Sequence, residues 1–232
     1  MTSCPWSEYP QATISFCEAR RCAWLVEPSN ACSNLGYVII GILILKSAPR
    51  RLPFWIIGVA SILIGLGSFA FHGTHTRAGE LADVGAMYLL TALGIMFCAR
   101  RWWDMSDGAL AAGYLAIVVG SIAAMIGFHT NGIIMFAVQM NVAIFGELYL
   151  YGKGIRVPSY RDQKLMLAAF GAAFFIWNLD KWDVLCRPDN HLVTGHAVWH
   201  VLTAVTIWFF YRQQRLVVAY MDATSARSRR SS

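Results

Sequence analysis

Apolar stretches approaching twenty residues, separated by short polar links, constrain this chain more than any other feature. A helix rises about 1.5 Å per residue, so roughly 20 apolar residues match the ~30 Å hydrocarbon core of a bilayer. Backbone amides inside that core find no water, and a helix satisfies them within one segment. Seven stretches fit: about Asn30 to Leu45, Pro53 to His72, Glu80 to Cys98, Ala109 to Phe128, Ile133 to Tyr151, Leu165 to Leu179 and Leu192 to Tyr211. The expected fold class is all-α, a polytopic membrane protein built as a seven-transmembrane helix bundle. One domain over residues 1–220 is expected, followed by a disordered basic cytosolic tail over 221–232. Apolar residues make up 57% of the chain and charged residues 14%, against about 25% charged in a soluble domain. The first ten residues carry neither positive charge nor an apolar run, so they do not read as a cleavable signal peptide.

The formal charge of +6 does not point to nucleic acid. Its basic residues sit in short clusters between the apolar runs, as topology signals do. Lys46, Arg50, Arg51, Arg100, Arg101, Lys153, Arg156, Arg161, Lys164, Arg212, Arg215, Arg227, Arg229 and Arg230 fall on one side, fourteen of the nineteen. Arg20, Arg21, Arg77, Lys181 and Arg187 fall on the other. This alternation predicts an outside N-terminus and a cytosolic C-terminus. The sequence marks no obligatory protein partner.

That orientation brings several polar residues to one depth, in the outer half of the bilayer. The second span ends at Ser68 and His72, the third opens near Asp83, and the seventh opens with His196 and His200. Ionisable groups in hydrocarbon are costly and read as functional. His196 and His200 stand at i and i+4, so they share one helix face. With His72 they offer three imidazoles and an open fourth position, the pattern of a catalytic zinc site. Bis-histidine haem ligation is the rival, although haem takes ligands from opposite faces of its ring. Asp83 reads either as an acceptor orienting a ligand histidine or as a general base. Glu80, His75, His129 and His191 read as interfacial groups.

With these residues in place, the chain resembles the alkaline ceramidases, within the CREST superfamily of seven-span membrane proteins. The motifs that carry the resemblance are Cys17-Glu18, EPSNACSNL (Glu27–Leu35), GLGSFAFH (Gly65–His72), LADVGAMY (Leu81–Tyr88), WNLDKWDVLC (Trp177–Cys186) and HAVWH (His196–His200). The resemblance implies zinc on His72, His196 and His200, an oxyanion-stabilising Ser68 and a water-activating Asp83. The substrate it implies is a membrane lipid, an N-acyl sphingoid amide cleaved to fatty acid and long-chain amine. Trp199, between the two histidines, is expected to line the substrate site. The family's calcium site would use Glu18 and Glu27, but Ser15 and Arg20 replace an aspartate and an asparagine there, which argues against calcium. The resemblance also implies a Cys17–Cys186 disulfide; Cys4 and Cys22 are a further candidate pair, and Cys98 is expected free. Two other readings stay open at this point: a related lipid esterase, and a seven-span receptor or sensor with a structural zinc.

Overall fold

The computed structural model describes residues 3–103, 105–127, 131–155 and 157–231, with side chains up to residue 224. Among them are eight helices: α1 (Pro28–Ser33), α2 (Leu35–Ser47), α3 (Leu52–Thr74), α4 (Arg77–Trp103), α5 (Asp107–Gly127), α6 (Gly132–Gly152), α7 (Arg161–Lys181) and α8 (Gly195–Ser231). The architecture is all-helical. Among the described residues, five segments are long and apolar enough to cross a membrane: Pro28–Ser47, which joins α1 and α2, and helices α3 to α6. By length, α7 matches them, but Arg161, Asp162, Lys164, Asp180 and Lys181 lie within it. Two histidines open α8, and its second half is polar. That helix continues to Ser231, so the tail expected to be disordered from residue 221 is helical backbone. Its alanines, Met221 and arginines are good helix formers.

The helices meet in a defined order. A tight connection at Thr74–Thr76 folds α4 back on α3, and α2 packs on the opposite side of α3. Glycines allow the α3–α4 approach. A Cβ on Gly67 would come within 2.8 Å of the Ala82 carbonyl, and one on Gly79 within 2.7 Å of the Phe71 Cα. Helices α5 and α6 pack on α4, while α8 lies against α7 and α2. Tyr37, Ile44, Phe54, Ile57, Ile64, Leu93, Phe97, Ile207 and Tyr211 form the principal core, between α2, α3, α4 and α8. Apolar residues on the outer faces, such as Leu66, Phe69, Val119, Phe145 and Phe175, stay exposed, as they must where lipid is the solvent.

Residues 3–27 are irregular and lie across the α3–α4 turn. Gln11 pairs with Thr76 in an isolated bridge, the Ala12 amide donates to the His75 carbonyl (3.0 Å), and the Arg77 amide donates to the Pro10 carbonyl (2.8 Å). Thr13 donates to Glu80 through both its amide and its hydroxyl. Glu80 also pairs with Arg77 and is buried, so it is a structural anchor for this segment rather than an interfacial group. Two disulfides hold the segment, Cys4–Cys22 and Cys17–Cys186. Cys32 and Cys98 are free.

Candidate metal centre

The site begins with the helix starts that place its histidines. Pro28 opens α1, where a missing N–H costs nothing. The next amides, of Ser29 and Asn30, both donate to the Glu18 carboxylate at 2.9 Å, an anionic cap at the positive end of a helix. Thr194 opens α8, accepting from the Ala197 amide at 3.0 Å and donating to the Asn30 side chain at 2.6 Å. Asp180, near the end of α7, accepts from the Gly195 amide at 3.0 Å. No side chain fits at Gly195, where a Cβ would lie 2.5 Å from that of Asp180. The start of α8, and with it His196, is thereby fixed to both α1 and α7.

His72, His196 and His200 converge, and one ring nitrogen from each lies within 4.8 Å of the others. His72 Nε2 and His196 Nε2 are 3.2 Å apart. All three side chains are buried. The tautomers of two follow from their partners. His72 Nδ1 lies 2.6 Å from Glu27 Oε2, an acceptor only, so Nδ1 donates. His200 Nδ1 faces the Asn30 carbonyl at 3.1 Å and Ser33 Oγ at 2.7 Å. The Ser33 hydroxyl gives its proton to that same carbonyl, so it accepts from His200. Both rings therefore turn an Nε2 lone pair inward. The 3.2 Å contact between His72 Nε2 and His196 Nε2 then holds either a proton on His196 Nε2 or a cation between the two nitrogens. Zinc–nitrogen bonds of about 2.0–2.1 Å in a tetrahedron set ligand nitrogens about 3.3 Å apart, so the three histidines fit such an ion. A haem does not fit, because these nitrogens converge without room for a macrocycle between them.

Ser68 and Asp83 come together where Gly67 lets α3 touch the backbone of Ala82 and Asp83. Ser68 is buried and its hydroxyl interacts with the half-buried Asp83 carboxylate. Ser68 sits one turn before His72 on the same face of α3. Tyr37 closes the space on the α2 side, with its ring 6.0 Å from that of His200 and its hydroxyl donating to Thr203 Oγ1.

Other residues stand elsewhere than the sequence suggested. Trp199 packs on Phe170 and Trp177 of α7, in the α7–α8 seam, off the face shared by the histidines. Glu18 is committed to the α1 cap and to His191 (3.0 Å), and Glu27 supports His72. Glu18 thus accepts from protein donors, while Glu27 Oε1 is buried without a hydrogen-bond partner among the described residues. His75, expected as an interfacial anchor, is buried in a left-handed C-cap of α3 (φ 53°), with Nε2 3.5 Å from Glu27 Oε1. His129 lies outside the described residues. The supporting groups Glu27, Asn30, Ser33 and Thr194 were not picked out by residue chemistry. The one local sign was Thr194, which precedes a helix as N-caps do.

Fold and site together define a polytopic helical membrane protein with a buried three-histidine centre able to hold a metal ion. A sequence model of the ceramidase family matches residues 8–231, and the chain belongs to that family. It is 22% identical to human alkaline ceramidase 1 over 214 residues, covering 85% of this chain and 80% of that protein. Against mouse alkaline ceramidase 1 the identity is 23% over 214 residues, covering 85% and 77%. The alkaline ceramidase YPC1 of Saccharomyces cerevisiae is 23% identical over 242 residues, covering 88% and 76%.

Proposed function

We propose that this chain is an integral-membrane, zinc-dependent amidase that cleaves the N-acyl bond of a ceramide-like lipid into a fatty acid and a sphingoid base. The observation that carries the reading is the convergence of three buried imidazoles, two with Nε2 lone pairs fixed inward, with Ser68 one helical turn from His72. Family membership supplies the substrate class. His72, His196 and His200 hold the metal. Zinc, when bound, supplies a Lewis acid and brings the pKa of water toward about 7.

The protein groups around it do the remaining work. Asp83 takes the proton of the attacking water, in the manner of a general base. The Ser68 hydroxyl turns from the carboxylate to the amide oxygen as negative charge grows there, which preorganises stabilisation of the oxyanion. Asp83 then returns its proton to the departing amine, without which an amide nitrogen leaves poorly. The bundle over residues 1–220 acts as one unit in this reading, and α7 and α8 also cross the membrane. At 21 residues, α7 is about 31 Å long, enough to span. The N-terminus is outside, the C-terminus is cytosolic, and the centre lies in the outer half of the bilayer.

The experiment is hydrolysis of a long-chain N-acylsphingosine by protein purified in detergent. Release of fatty acid and sphingosine is expected, abolished by His200→Ala and by a strong zinc chelator. A wild-type protein that carries zinc and leaves the lipid intact would overturn the assignment.

A further inference from the structure

The three histidines are not held alike. His72 has Glu27 on its outer nitrogen and His200 has Asn30 and Ser33. His196 Nδ1 is buried and has no hydrogen-bond partner among the described residues. What lies against His196 instead is the ring of Phe16, stacked at 3.7 Å between centroids with the planes 21° apart. Phe16 also contacts Phe71 (5.9 Å) and His72 (5.1 Å). It belongs to no helix. It is carried by the irregular N-terminal segment, which is tied down on both sides of it. On one side, the Ala12 amide donates to His75 and Thr13 to Glu80. On the other, Cys17 is bonded to Cys186, Glu18 caps α1, and the Ala19 amide donates to the Pro188 carbonyl at 2.8 Å.

We propose that Phe16 is a positioning residue for the metal centre: its ring, held over His196 by the disulfide-tied N-terminal segment, fixes the orientation of the one ligand that lacks a hydrogen-bonded support. The inference rests on the reading that the three histidines bind a metal ion. A ligand histidine is ordinarily oriented by an acceptor on its second nitrogen, and losing that acceptor weakens metal binding about 10- to 100-fold. Stacking restrains the ring plane in the same way, since offset aromatic pairs prefer defined geometry. It also covers one face of the buried His196 ring. The disulfide makes this dependable. The bond from Cys17 to Cys186 ties the residue after Phe16 to the loop that leads into α8, the helix that carries His196.

The test uses Co2+ as a spectroscopic stand-in for zinc in the full-length protein, wild type against Phe16→Leu, Phe16→Ala and Phe16→Tyr. Visible absorption reports coordination geometry, chelator competition reports affinity, and thermal melting reports the fold. Phe16→Leu keeps an apolar side chain without a ring; about tenfold weaker Co2+ binding and a broadened, weaker visible band are expected. Phe16→Tyr, which keeps the ring, restores both, and Phe16→Ala behaves like leucine or worse. A Phe16→Leu protein with wild-type affinity and spectrum overturns the proposal, as does a tyrosine variant no better than leucine. Should the leucine variant be recovered unfolded, the paired Cys17→Ser/Cys186→Ser variant frees the segment with Phe16 intact; unchanged Co2+ binding there overturns the proposal as well. Wild-type protein that gives no visible Co2+ band and binds no zinc removes the metal reading itself, and this inference with it.

Discussion

Replacing Glu27 with glutamine tests the support of the metal centre most directly. The Glu27 carboxylate is buried and meets His72 Nδ1 at 2.6 Å. A hydrogen bond to a charged group contributes about 1.5–3 kcal/mol, and a neutral one about 0.5–1.5. Glutamine keeps the length and an acceptor oxygen but loses the charge, so about 1.4 kcal/mol of support is lost, or a factor of ten in metal affinity. Alanine removes the acceptor altogether and strands a buried N–H, which raises the loss toward 100-fold. Ser33→Ala is the internal comparison: His200 keeps the Asn30 carbonyl at 3.1 Å, so its affinity should fall by no more than about threefold. The assay is zinc competition against a chelator of known affinity, on protein purified in detergent, with thermal melting to establish that each variant is folded. A Glu27→Gln protein that binds zinc as wild type does, or a Ser33→Ala protein that loses more than Glu27→Gln, would refute the reasoning.

Three further outcomes are expected. Asp83→Asn should keep zinc and the fold but lose about 100-fold or more in amide hydrolysis, and Ser68→Ala about 100- to 1000-fold; rate and zinc measured on the same samples decide it, and unchanged turnover per bound zinc in both would leave the pair a structural one. Gly79→Ala puts a Cβ 2.7 Å from the Phe71 Cα and should cost about 1–3 kcal/mol of overpacking at the α3–α4 crossing, read as a lower melting temperature with zinc still present. A reporter active only outside the inner membrane, fused after Arg215, should stay silent when the protein is produced in a bacterium; a strong signal would reverse the proposed orientation.

The sequence by itself determined what depends on neighbours along the chain. Apolar runs near twenty residues specify helices, because in lipid no other local conformation satisfies the backbone, and α3 to α6 follow them closely. The i, i+4 spacing of His196 and His200 puts both on one face whatever surrounds the helix, and their rings do lie 4.4 Å apart. Tertiary structure decided the rest. His72 meets His196 across 124 residues, and Ser33 meets His200 across 167. No periodicity encodes those distances; they follow from the packing of α1 on α3 and from the caps that dock α8 on α1 and α7. Trp199 sits between the histidines in sequence, yet a helix turns about 100° per residue, which carries its ring into the α7 seam. Phe16 lies in an irregular segment with no period to read. Its place over His196 exists only because a disulfide and a few backbone hydrogen bonds hold that segment across the top of the bundle.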